Sequence, residues 1–92
     1  MNEKKILVLG RRDHTEAMRV AAGLTIFGHE VRLVLMTEPV AESEENAAMA
    51  ELLELSDIEP ETTVEAMADD LPFLDGAALG KAIASAERVV SI

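Results

Sequence analysis

The chain has 92 residues, no cysteine and a formal net charge of −10. A chain of this length is one domain, and without a thiol it holds no disulfide, thiolate metal site or cysteine nucleophile. Its charge is lopsided: residues 1–36 carry six bases and four acids, residues 37–92 two bases and fourteen acids, a field that repels nucleic acids and anionic membrane surfaces.

The first 36 residues read as strand, helix, strand. Lys5-Ile6-Leu7-Val8-Leu9 makes a first strand at about residues 4–9. Gly10-Arg11-Arg12-Asp13 breaks it. A helix follows over about 14–27, with Asp13 as N-cap and Glu16 as the second half of a capping box. Ala17, Val20, Ala21 and Leu24 form its sheet-facing stripe. Gly28 suits the left-handed position that closes a helix. Val31–Met36 makes a second strand at about 30–36. Two near-continuous apolar strands joined by a helix imply a parallel sheet covered on both faces.

Pro39 marks a loop over 37–43. A second helix is expected over about 44–56, capped by Ser43, with Glu44 and Glu45 at the positive end of its dipole. Its apolar face is expected to hold Ala48, Leu52 and Leu55, with Met49 and Leu53 alongside. A short third strand is expected at Thr62-Thr63-Val64, where β-branched residues cluster. Glu65–Asp70 either extends that strand or makes a helical turn. Asp75 caps a third helix that runs to about Ala86, with Ala78, Leu79, Ala82, Ile83 and Ala86 as its apolar face. A last strand covers Arg88–Ile92. The aromatic residues are Phe27 and Phe73 alone, so the core is aliphatic, and the lack of Tyr and Trp to stack on a base weighs against single-strand nucleic-acid binding.

The apolar run after Lys4 and Lys5 is too short for a signal peptide, and no stretch approaches a membrane span. The expected location is the cytoplasm.

Ligands of open parallel sheets bind beyond the carboxyl ends of the strands. The loop after the first strand sits there, so Arg11, Arg12, Asp13 and His14 are the candidate ligand-binding residues. A phosphate, carboxylate or nucleotide would use the two guanidinium groups and the helix N-terminus. No Gly-x-Gly-x-x-Gly or Walker A pattern supports this, and the simpler reading pairs the arginines with acids. His14 is the one plausible acid–base group, though a lone histidine at a helix start is more often a surface residue. His29 reads as structural, beside a helix end. Glu44-Glu45 and Asp69-Asp70 lack the spacing of a calcium loop. No catalytic residue, metal or cofactor is assigned.

Two segments resemble a known family. Arg19–Leu24 with Gly28–Met36 looks like the first helix and second strand of the DsrE/DsrF/DsrH family, which includes the TusD-type sulfur-relay proteins. Leu79–Ile83 with Ala86–Ile92 is similar to that family's closing helix and strand. The resemblance implies a three-layer α/β/α sandwich with a mostly parallel sheet of about four strands. It also implies assembly into trimers or hexamers, alone or with a related subunit. Active members carry a persulfide on a cysteine just after the third strand. Here that position falls near Glu65 and Ala66. A persulfide needs a thiol, so the expected role is a non-catalytic scaffold or interaction subunit connected with sulfur metabolism. The alternative is a small-anion or nucleotide-binding domain using the loop after strand one.

Overall fold

The computed structural model describes residues 3–92. Four strands alternate with three helices: β1 (Lys5–Gly10), α1 (His14–Ile26), β2 (Glu30–Leu35), α2 (Glu44–Leu55), β3 (Glu61–Thr62), α3 (Gly76–Ser85) and β4 (Arg88–Ser91). One 3-10 turn, Glu65–Met67, follows β3. The sheet order is β3-β2-β1-β4, and every strand pair is parallel. This is the expected α/β/α sandwich.

The layers follow from the order of strands. Each crossover from β1 to β2 to β3 steps the same way, so α1 and α2 share one face. The step from β3 to β4 reverses across β1. A right-handed crossover then puts α3 on the opposite face. Ile6, Val8, Leu33 and Leu35 pack beneath α1 and α2 with Ala17, Ala21 and Leu53. Leu7, Leu9 and Val34 pack against Ala82 of α3.

The caps form as the sequence predicts. Asp13, Ser43 and Asp75 accept from the backbone N–H of Glu16, Asn46 and Ala78 at 3.0, 3.0 and 2.8 Å. Glu16 does not return the favour to Asp13, because its carboxylate is engaged by Arg19. Gly28 takes φ +90°, and its N–H donates to Thr25 C=O at 2.9 Å while His29 N–H donates to Leu24 C=O at 3.2 Å. These two bonds satisfy carbonyls that the end of α1 leaves open.

Four expectations change. The buried positions of α1 are Ala17, Met18, Ala21 and Ala22, because α1 packs against both the sheet and the neighbouring α2 and so buries two flanks. In α2 the buried residue is Leu53, while Leu55 is 80% exposed. In α3 only Ala82 is fully buried, and Ile83 is 41% exposed, because no second helix flanks α3. The third strand is Glu61–Thr62 rather than 62–64, since Val64 already precedes the 3-10 turn.

Thr62 explains how so short a strand holds. Its side chain is fully buried. Its hydroxyl donates to Leu35 C=O at 2.8 Å and accepts from Val64 N–H at 2.9 Å. Its backbone N–H donates to Pro72 C=O, and its C=O accepts from Leu74 N–H. Residues 72–74 thereby cover the outer edge of β3. Arg32 of β2 adds a two-pronged pair with Glu61, at 3.0 and 2.8 Å. The hydrogen bonds it donates to Glu61 hold the Arg32 guanidinium above its ordinary value, against a smaller opposing effect of burial.

Gly10 sits where α1 presses closest on β1. A Cβ there would lie 3.1 Å from Ala17 Cβ and 3.2 Å from Leu35 Cδ2. Gly10→Ala is therefore expected to lower stability by about 1–3 kcal/mol, read from the midpoint of urea unfolding. An unchanged midpoint would contradict this packing.

Candidate functional site

The order β3-β2-β1-β4 places the reversal of strand order between β1 and β4. Beyond the carboxyl ends of those strands lies the crevice where open parallel sheets take ligands. The loop Arg11-Arg12-Asp13 stands there, as expected. Its polar groups, however, are largely used by the chain itself. The N–H groups of Arg11 and Arg12 both donate to Ile92 C=O, at 2.7 and 2.9 Å. The Arg11 guanidinium donates to Ser91 Oγ at 3.4 Å. The Asp13 carboxylate occupies the start of α1.

His14 is also committed. Its Nε2 lies 2.8 Å from Met36 C=O, and a carbonyl only accepts, so Nε2 carries the proton and donates. His29 accepts from Lys4 N–H through Nδ1 at 3.2 Å, which agrees with a structural role. Both histidines stitch loops to strand ends.

Beside His14, a hollow of about 300 Å³ is lined by Arg12, Asp13, Thr15, Glu38 and Asn46. Thr15 is hydrogen-bonded to Asn46, and Asn46 Nδ2 donates to Ala41 C=O at 2.8 Å. One guanidinium faces two carboxylates here, so the hollow has no cationic bias. Neither Arg11 nor Arg12 joins an ion pair among the described residues; the pairs formed there are Arg19–Glu16 and Arg32–Glu61. The sequence reading pairs the two arginines with acids of this chain or of a neighbour; within this chain no such pair forms among the described residues.

Glu65 and Ala66 lie on the 3-10 turn and are exposed. They stand apart from the Arg11–His14 loop, beside a second cleft of about 340 Å³. Met18, Leu35, Leu53, Ile58, Met67 and Leu71 line that cleft, with Glu54 and Asp70 also at its wall. Asn46, Ser91 and Ile92 escaped the sequence reading. Their roles depend on contacts across the fold, 80 residues apart in the case of Arg11 and Ser91.

These features define an open, all-parallel α/β/α domain whose loop after β1 is bonded to Ile92, just past β4. Comparisons with protein-family models, with curated proteins and with solved structures gave no match. No helix is long and apolar enough to cross a membrane among the described residues.

The backbone records one strained point at this end of the sheet. Thr37 has φ +82°, and Glu38 N–H donates to Met36 C=O at 3.0 Å across it. This is a γ-turn of the rare hand, imposed on a β-branched residue. Thr37→Gly is expected to raise stability by up to about 1 kcal/mol, measured by thermal or urea unfolding. A loss of stability would show that the Thr37 side chain makes a contact worth more than the strain.

Proposed function

We propose that this chain is a non-catalytic, DsrE-like interaction subunit that works by assembling with copies of itself or with a related, thiol-bearing subunit. The observation that carries the proposal is a contrast within one end of the sheet. Where a small ligand would sit, the loop amides of Arg11 and Arg12 are already bonded to Ile92 C=O. The neighbouring strand, β4, has no partner on its outer edge among the described residues and carries exposed Val89. Other large apolar side chains are exposed too: Ile26 and Phe27 at the end of α1, Leu55 at the end of α2, and Ile83 on α3. Exposed apolar groups and an unpaired edge support association rather than chemistry.

The lack of cysteine sets the chemical limit. Sulfur transfer through this chain needs a thiol from a partner. The anion-binding reading has weaker support, because the loop amides are already bonded and the neighbouring hollow carries two carboxylates for one guanidinium. A bound anion at a hundredfold excess over Kd would add about 2.7 kcal/mol of stability, which thermal-shift titration with phosphate or nucleotides detects.

Size-exclusion chromatography with light scattering at micromolar concentration tests the proposal. The expected mass is a multiple of the 9.9 kDa chain. A clean monomer, together with a thermal shift from phosphate, would overturn it in favour of the anion-binding reading.

A further inference from the structure

The two edges of the sheet are treated differently. At β3, Thr62 N–H donates to Pro72 C=O at 2.9 Å and Leu74 N–H to Thr62 C=O at 2.8 Å, so the chain covers its own edge. At β4 nothing comparable is present among the described residues. Ile92 N–H donates to Leu9 C=O at 2.9 Å. By strand alternation, Val90 and Arg88 then also turn their backbone groups toward β1. Val89 and Ser91 turn theirs outward, away from the sheet.

The side chains on this edge follow the same geometry. Val89 is in register with Leu7, and Ser91 with Leu9, so both lie on the α3 side of the sheet. Val89 is 44% exposed. On α3, Ser85 borders a groove that reaches Glu30 and Arg32 of β2. Ile83 lies about 200° around the helix from Ser85, so it faces away from that groove. It too is exposed. Val89 and Ile83 are thus two exposed apolar side chains on the α3 side of the sheet.

We propose that β4 pairs antiparallel with β4 of a second copy of this chain, on a two-fold axis through Val89. The two sheets then join into one of eight strands. This rests on the assembling role proposed above and specifies its contact surface. The register is self-complementary, as an isologous contact must be. The outward N–H and C=O of Val89 meet those of Val89 in the second copy. The exposed Val89 side chains of the two copies meet on the α3 side.

Charge favours the same register. Glu87 comes opposite Ser91 of the second copy, and the Arg11 guanidinium of that copy rests on this serine, as it does here at 3.4 Å. Glu87 is exposed; its carboxylate accepts from Lys5 N–H at 3.3 Å and its own N–H donates to Lys5 C=O at 2.9 Å, which anchors it just before β4. Two Glu87–Arg11 pairs thus flank the axis. Arg88 stands opposite Val90, so like charges do not face each other. A two-fold contact of this kind fits a pair or a hexamer with dihedral symmetry. It does not fit a lone three-fold ring.

Sedimentation equilibrium on the native chain and three kinds of variant decides the matter, with circular dichroism to check folding. The native chain is expected to give an even multiple of 9.9 kDa. Val89→Pro removes an outward N–H and leaves the bonds to β1 in place; it is expected to dissociate the pair. Arg11→Glu and Glu87→Arg are each expected to weaken association about tenfold or more, as like charges then face each other. Both reversals together are expected to restore it. An assembly unaffected by Val89→Pro and by both reversals would overturn this register and leave the assembling role standing. A double reversal that fails to recover association would overturn the Glu87–Arg11 pairing. A native chain that is monomeric throughout would overturn the contact and the assembling role together.

Discussion

The fold depends on burying β1 on both faces. Leu7 and Leu9 point to one side of the sheet and Ile6 and Val8 to the other, and all four are buried. A strand that is apolar on both sides has no stable place at a solvated edge. It must lie between two other strands and beneath helices on each face. β2 and β4 flank it in register, α1 covers one face and α3 the other. Gly10 at its end lets α1 approach closely enough to close that layer.

The central strand also determines what happens at the carboxyl end of the sheet. β1 leads into the loop of Arg11, Arg12 and Asp13. β4, lying beside β1, delivers Ile92 C=O to the first two amides of that loop. The same neighbour relation that completes the sheet therefore occupies the amides of that loop. It leaves β4 as the edge strand, with the backbone groups of Val89 and Ser91 facing outward. The occupied loop and the outer edge are two results of one strand placement. The face under α3 is less well covered than the face under α1 and α2, and Ile83 and Val89 remain exposed on it.

Much of this was legible in the residues, where the signal is local. The apolar runs at 5–9 and 31–36 mark strands because both faces are buried. Asp13, Ser43 and Asp75 mark helix starts because a carboxylate or hydroxyl there meets a free backbone N–H. Gly28 marks a helix end because its φ is positive. What was not legible depends on non-local contact. The sequence puts Ala48, Leu52 and Leu55, with Met49 and Leu53 alongside, on the apolar face of α2; Leu53 is buried and Leu55 is not, because the position of α1 decides which side of α2 is covered. The third strand shrank to two residues because its stability comes from Thr62 bonding to residues 35, 64, 72 and 74. At the candidate site, Arg11–His14 fall together at the expected place. Their availability could not be read, since Met36 and Ile92 bind them from distant parts of the chain.

The most direct measurement is amide hydrogen exchange followed residue by residue as protein concentration rises. The account predicts that Leu7, Val8, Arg88 and Val90 are protected at every concentration, because their N–H groups lie inside the sheet. It predicts that Val89 and Ser91 exchange fast in dilute solution and slow down as the second strand arrives. Fast exchange at Val89 and Ser91 at all concentrations would contradict the edge contact, and fast exchange at Leu7 and Val8 would contradict the central strand itself.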